Sequence, residues 1–372
     1  MKTQGQGKSL WLAFAFGLLA IFVCSVNIYA QALPAAPPPW KPKPTPTPKP
    51  PEQEVLDVVR VTSNLVMVPV SVTDSQGQAI QGLQVSDFRL EEEGKQQEIA
   101  EIGDPEQIPL DIAILFDISS SVSQKGFFQF QQNAAASFLR LVMKPADKAA
   151  IFTIAAEPTL VQPLASAETA AAKMVAIPAA TSSVPTAFYD SVIAAAKYLS
   201  DKSPSRHRRV IVVISDGDDN FSESIKGLSI AEARATMKGE STPASALVAL
   251  QDKHRRAITS VQQAVLRADV TFYSVNPGGP SVKLNQIAMR AQTGMSTVAD
   301  ASGGTAFLPE EKDLEVVFRQ VAAELRGQYL LQYYANADVP IGQFRRISVA
   351  VPTRPQARVR ARQGYYAKKQ QD

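Results

Sequence analysis

The sequence predicts an α/β chain in which a doubly wound, mostly parallel sheet is set into a small, discontinuous β-sandwich. Three observations lead there. Apolar runs of strand length at Asp111 to Phe116, Ala149 to Ile154, Val210 to Ser215 and Val270 to Val275 alternate with helical patterns near Phe127 to Met143, Ala187 to Leu199, Ile258 to Arg267 and Leu314 to Leu325. That is the rhythm of a parallel sheet with crossover helices. The runs are almost continuously apolar, as strands covered on both faces must be. Short alternating patterns stand before the first run and after the last helix, and neither group is large enough to bury two sheet faces alone.

At the N-terminus, Lys2 and Lys8 precede the apolar stretch Leu10 to Val26, and Ala30-Gln31-Ala32 offers a small-x-small cleavage site. Residues 1–32 therefore read as a secretory signal peptide, which makes the protein secreted or periplasmic, at the cell envelope. An uncleaved N-terminal anchor is the alternative, and the only route to a membrane. The single cysteine, Cys24, lies inside this segment, so the mature chain forms no disulfide; Ile21-Phe22-Val23 also lacks the small residue that precedes a lipid-modified cysteine. Removing the signal lowers the formal charge from +3 to +1, because the segment carries two lysines and no acid. Global charge thus points to no polyanionic partner and to no nucleic acid.

Residues 33–54 are proline-rich, with prolines alternating with lysine and threonine from Lys41 to Pro50. They read as an extended polyproline II linker spanning about 3 Å per residue. Residues 55–106 form the first half of the sandwich. Val66, Val68, Val70 and Val72 alternate along one strand, Asp74 to Gly77 punctuates it as a turn, and Phe88 to Leu90 followed by Glu93-Gly94 repeats the pattern. Residues 107–327 hold the α/β domain, and residues 328–367 hold the second half, with strands at Tyr329 to Tyr334, Phe344 to Val351 and Ala357 to Ala361. An inserted domain needs its own ends close together, which two paired half-sandwiches supply.

Three polar stretches carry bland expectations. Ser222 to Lys253, with mixed helical and loop signals, reads as a surface insertion beside the rim. Arg206-His207-Arg208-Arg209 reads as a solvated loop ahead of a buried strand. Arg358, Arg360 and Arg362 alternate on one strand face and read as solvated, near Glu91 to Glu93, rather than as a nucleic-acid stripe.

The chemistry gathers at strand ends. Asp117-Ile118-Ser119-Ser120-Ser121 follows the first buried run, Thr186 precedes an amphipathic helix, and Asp216 closes Val210 to Ser215. In an open parallel sheet, ligands bind beyond the carboxyl ends of the strands where the connections diverge, and Asp117 and Asp216 belong there. Two carboxylates and three hydroxyls suit a hard cation such as Mg²⁺, with Mn²⁺ or Ca²⁺ as alternatives, and no thiol or imidazole is needed. The duller reading has Ser121 or Ser123 capping the helix that follows. Asp218, Asp219 and Asn220 read as turn formers. Asp190 either joins the outer sphere or pairs with Lys197.

Asp-x-Ser-x-Ser at Asp117 to Ser121, the separate Thr186 and Ser215-Asp216-Gly217 resemble the metal-ion-dependent adhesion site of von Willebrand factor type A domains, over roughly Pro109 to Gly327. The flanks Gly82-Leu83-x-x-x-Asp87-Phe88 and Arg362-x-Gly364-Tyr365-Tyr366 resemble a bacterial secreted "VWFA-related" group. The resemblance implies a Rossmann-like sheet and a metal held directly by Ser119 and Ser121. It implies that Asp117 and Asp216 act directly or through water, and that Thr186 joins or leaves with conformation. One departure stands out: Ser183-Val184-Pro185 precede Thr186, where type A domains often carry glycines.

A cation held by hydroxyls and few carboxylates stays electrophilic, so a protein ligand offering an Asp or Glu can complete its coordination. The expected function is therefore Mg²⁺-dependent adhesion-type protein binding outside the cytoplasm, and not catalysis. The rival enzyme is a haloacid-dehalogenase-like phosphatase, which uses the first Asp as nucleophile. Such enzymes need a second Asp two positions on, where this chain has Ser119. Ser-His-Asp hydrolysis fits less well still, since His207 and His254 lie in basic stretches and no Gly-x-Ser-x-Gly elbow occurs. A structural envelope protein stiffened by its metal is the third reading.

Overall fold

The structure is a computed structural model that describes residues 64–119, 128–180, 182, 184–227, 230–239, 242–280, 286–309, 313–335 and 339–368. The expected signal peptide, the proline-rich linker and Ser121 lie outside the described residues. Strand β1 (Asn64–Thr73) is followed by β2 (Arg89–Glu92), β3 (Lys95–Gln97) and β4 (Glu101–Gly103). The chain continues through β5 (Leu110–Asp117), α1 (Phe128–Val142), β6 (Lys148–Ile154), β7 (Thr159–Ala165), α2 (Ala167–Val175), α3 (Phe188–Lys202) and β8 (Arg208–Ile214). Next come α4 (Ile230–Met237), α5 (Pro243–Arg267), β9 (Val270–Val275), α6 (Gln286–Ser302), β10 (Ala306–Phe307) and α7 (Leu314–Arg326). Strands β11 (Tyr329–Ala335), β12 (Phe344–Ala350), β13 (Arg358–Ala361) and β14 (Gly364–Tyr366) close it.

Six strands form the central sheet in the order β10-β9-β8-β5-β6-β7. Every pairing is parallel except β6 with β7 at one edge. All eight residues of β5 are buried, and their alternation divides two cores. Ile112, Ile114 and Phe116 face a cluster built with α1, α2 and α7. Ala113 and Leu115 face a second cluster built with α3, α5 and α6. A strand with helices on both faces has no polar side to show, which is why its sequence reads as one apolar run. The chain leaves β5 toward β6 and later returns to its other side as β8, so the sheet reverses direction at β5.

The flanking strands form two four-stranded sheets, β13-β1-β11-β4 and β14-β12-β2-β3. Strands from before and after the α/β part pair directly: β1 lies antiparallel between β11 and β13, and β2 pairs with β12. Both sheets contribute to one core, in which Val66, Val68, Val70 and Val72 meet Leu90, Leu331, Tyr333 and Ile347. The period of two that marked β1 is the period of its inward face.

The basic stretches depart from expectation. Arg208 and Arg209 are buried at the start of β8, where their guanidinium groups donate to the Leu325 carbonyl (2.7 Å) and to the carbonyls of Ala268 (2.9 Å) and Ser203 (2.8 Å). His207 bonds the buried Asp111 at 2.9 Å. These groups tie down orphan carbonyls at helix ends instead of facing solvent. Likewise Arg362 is buried against the α/β part and Arg360 pairs with Glu324 on α7; only Arg358 of the three is exposed. The neighbour expected for that face, the Glu91 to Glu93 run, sits elsewhere, with Glu92 bound to Arg345 and Tyr333.

Three helices also differ, the first being α2 (Ala167–Val175), which has no counterpart among the expected helical patterns. Helix α5 begins at Pro243, well before the expected Ile258, from a capping box of Thr242 and Ser245. Its first turns are exposed, with Leu247 and Val248 facing solvent, so no buried periodicity marks them. Helix α6 has no counterpart in the sequence pattern because its buried face is made of small residues, Ala291, Gly294, Ala299 and Ser302 around Met295 and Val298, and carries little apolar signal.

Candidate metal centre

Strands β5 and β8 lie side by side with Phe116 opposite Ile214, so Asp117 and Ser215-Asp216 leave the sheet together at its reversal point. Asp117 is wholly buried. Its Oδ1 accepts the Ser119 N–H at 2.8 Å, and its Oδ2 accepts the Ser215 hydroxyl at 2.6 Å. Ser215 Oγ in turn accepts the Gly217 N–H at 2.9 Å. Gly217 has φ +77°, the left-handed backbone that favours glycine, so this tight exit calls for one; a Cβ there would also press on the Met295 side chain, which can give way.

Burial pushes the Asp117 carboxyl up to about 6; the Ser119 and Ser215 hydrogen bonds oppose the rise, and the charge of Asp216 adds to it. Among the described residues no lysine or arginine pairs with Asp117. Asp216 is half-buried and accepts the Asp218 N–H at 3.3 Å. Asp218 is likewise raised by burial and by Asp216, against the pull of Arg290 at 3.4 Å.

Thr186 is buried just ahead of α3, and the loop after Asp216 binds that helix start closely. The N-cap of α3 is Ala187, which has no side chain to cap with. The cap comes instead from across the rim. Asp219 Oδ2 accepts the Tyr189 N–H at 2.8 Å, Ser222 Oγ accepts the Asp190 N–H at 3.1 Å, and Asp190 Oδ2 accepts the Glu223 N–H at 2.8 Å. This has the logic of a capping box split between two segments. Asn220 holds Thr186 itself: its Oδ1 accepts the Thr186 N–H at 2.9 Å, and its own N–H donates to the Thr186 carbonyl at 3.1 Å.

Of the five residues singled out in the sequence, Asp117, Ser119 and Asp216 sit at the ends of adjoining strands. Thr186 sits on a loop hydrogen-bonded to the one that carries Asp216, and Ser121 lies outside the described residues. Asp218 to Asn220 do form turn bonds, but Asp219 and Asn220 also reach the start of α3. Asp190 serves that same junction, while Lys197 pairs with Asp201. Ser215, Asp219, Asn220 and Ser222 carry roles that sequence pattern does not announce. The available signal is negative: an alanine where α3 needs a cap.

Behind this junction the Tyr189 hydroxyl and His254 Nδ1 of α5 share a hydrogen bond at 2.9 Å. Burial, with the Arg290 charge, lowers His254 to about 4, so it is neutral in the fold. The unfolded chain, with histidine near 6.5, takes up the proton first. The stability His254 contributes is therefore complete above about pH 6.5 and is lost as pH falls toward 4. Denaturant melts at pH 7 and 4.5 should show wild type losing on the order of 2 kcal/mol more than His254→Gln, since a tenfold difference in proton affinity between folded and unfolded chains is about 1.4 kcal/mol. Equal losses would show that His254 is not the group responsible.

The family model for the von Willebrand factor type A domain matches residues 111–303, just over half of the chain, and the protein belongs to that family. Similar solved structures include a von Willebrand factor type A protein from Catenulispora acidiphila, 14% identical over 83% of this chain and 76% of that one, with a TM-score of 0.41. Another is the vWF domain of the type V pili tip protein Mfa5 from Porphyromonas gingivalis, 12% identical over 58% and 94%, with a TM-score of 0.40. A third is proximal thread matrix protein 1 from the mussel byssus with a zinc-occupied MIDAS motif, 13% identical over 63% and 49%, with a TM-score of 0.40. Identities this low transfer no ligand or partner. No curated protein matches the chain.

Domains of this family can bind a divalent metal at the adhesion site, and are generally binding modules rather than enzymes. The residues present here fit such an ion. The donors are oxygens throughout, one carboxylate is wholly buried, and its neighbour adds a second negative charge with no described cationic side chain against it. Among the described residues there is no grouping of three or more His, Cys, Asp or Glu side chains arranged to hold a metal, so a metal here would rest on hydroxyls as well as the two carboxylates.

Proposed function

We propose that this chain is a Mg²⁺-dependent protein-binding module working outside the cytoplasm, with Asp117, Ser119, Ser121, Thr186 and Asp216 as its metal set. The carrying observation is the wholly buried Asp117 at the sheet's reversal point, with Asp216 beside it and Thr186 tied to the same rim. Asp117 and Asp216 would supply the negative charge, and Ser119, Ser121 and Thr186 neutral hydroxyls. When bound, the cation supplies an open electrophilic position that a partner's Asp or Glu carboxylate can take. Ser119, where a phosphatase would need its second carboxylate, argues against phosphoryl transfer.

The signal peptide over 1–32 and linker over 33–54 belong to the same reading, as do the domain limits 55–106, 107–327 and 328–367. No helix among the described residues is long and apolar enough to cross a membrane. Calorimetric titration of the metal-free protein with Mg²⁺ should find one site. Binding of an immobilised carboxylate-bearing peptide should then require that ion and reverse with chelator. Metal-dependent melting without metal-dependent binding would leave a structural role, and phosphate-ester hydrolysis would overturn the non-enzymatic reading.

A further inference from the structure

The loop that carries Asp216 does more than present its own carboxylate. Just beyond it, Asn220 brackets the Thr186 backbone on both its N–H and its carbonyl, while Asp219 and Ser222 cap the first turn of α3 at Tyr189 and Asp190. Asp219 is buried and uses its acceptors on the N–H groups of Tyr189, Phe221 and Ser222 and on the Ser222 hydroxyl. Pro185 fixes the backbone before Thr186, where a glycine would leave it loose. Beyond the Ala187 N–H, which donates to the Ala155 carbonyl at 2.8 Å, the bonds that hold the Thr186 backbone itself come from the loop that carries Asp216.

We infer that Asn220 is a positioning residue for the metal site, holding Thr186 in a fixed relation to Asp216 so that both can serve one cation. This rests on the metal-binding reading above. Its physical basis is that a ligand already held in place loses less freedom on binding, and outer partners that orient ligands typically change metal affinity by about 10–100-fold. Asn220 lies outside the proposed metal set, spends its Oδ1 on the Thr186 N–H, and is exposed, so it can be changed without opening the core.

The test compares wild type with Asn220→Ala and Asn220→Asp by Mg²⁺ calorimetry, and by melting in chelator. Asn220→Ala removes the acceptor for the Thr186 N–H, whereas Asn220→Asp keeps one. The expected result is an affinity about 10-fold weaker in Asn220→Ala, with little change in metal-free melting, and an affinity at or above wild type in Asn220→Asp. An Asn220→Ala protein that binds Mg²⁺ as wild type does, or an Asn220→Asp protein as weak as Asn220→Ala, overturns the inference. Failure of wild type itself to take up Mg²⁺ would instead overturn the metal-binding reading beneath it.

Discussion

Asp117→Asn is expected to remove Mg²⁺ uptake and, with it, chelator-sensitive partner binding, while raising the melting temperature of the metal-free protein. The two signs differ for one reason. Asp117 is wholly buried beside Asp216 with no described cationic partner, so in the absence of metal its charge is a burden on the fold. Asparagine keeps the volume and an acceptor for the Ser119 N–H or the Ser215 hydroxyl, but removes that charge. The same charge is what a hard cation needs most. Affinity should fall by more than the roughly 100-fold that the loss of an outer partner can cost. Melts in Mg²⁺ and in chelator read both effects, and Asp117→Asn that still takes up the ion as wild type does would end the metal assignment.

Arg362→Ala should give the largest loss of stability outside the cores. Arg362 lies on the sandwich side but donates to Asp269, at the turn between α5 and β9, at 2.7 Å. It also donates to the Met67 carbonyl at 2.8 Å and stacks over Tyr365. Burial raises Asp269, yet Arg362 and Lys368 together hold it below the usual carboxylate range. Breaking a fully buried pair costs about 3–5 kcal/mol. Here the Asp269 side chain is 34% exposed and would keep Lys368, so a loss on the order of 2–3 kcal/mol is the better figure. Urea melts should show it, and Arg362→Lys should recover little, because the guanidinium reaches Asp269 and the Met67 carbonyl with two separate nitrogens, a spread that a single ammonium nitrogen lacks. A change within about 0.5 kcal/mol, the range of ordinary surface substitutions, would show that Arg362 contributes little to the joint.

The Arg362-x-Gly364-Tyr365-Tyr366 flank shows how partial a sequence reading is. As a motif it marks a resemblance; in the fold it docks the sandwich onto the α/β part. Gly303 meets it so closely that a Cβ there would lie 2.7 Å from the Arg362 nitrogen. The expectation that alternating arginines on a strand face solvent fails because that face meets another domain, and a strand's period reports which residues share a side, not what lies opposite. Arg208 and Arg209 depart for a different reason: helix ends of the α/β part itself lie against them. Their partners are carbonyls near helix ends up to 117 residues away in the chain.

Local pattern by itself determined the α/β class, the flanking segments as short strands, and the placing of Asp117 and Asp216 at strand ends. Each follows from periodicity and chain order, which act over a few residues. The pairing of those flanking strands across the α/β part is a tertiary fact. Only the tertiary structure decided what surrounds those residues: that α3, lacking its own cap, borrows Asp219 and Ser222, that Asn220 brackets Thr186, and that the basic stretches bind carbonyls and Asp269. Such contacts join segments tens to hundreds of residues apart, and hydrogen bonds between them depend on where the sheet order brings two loops, which no local spacing encodes.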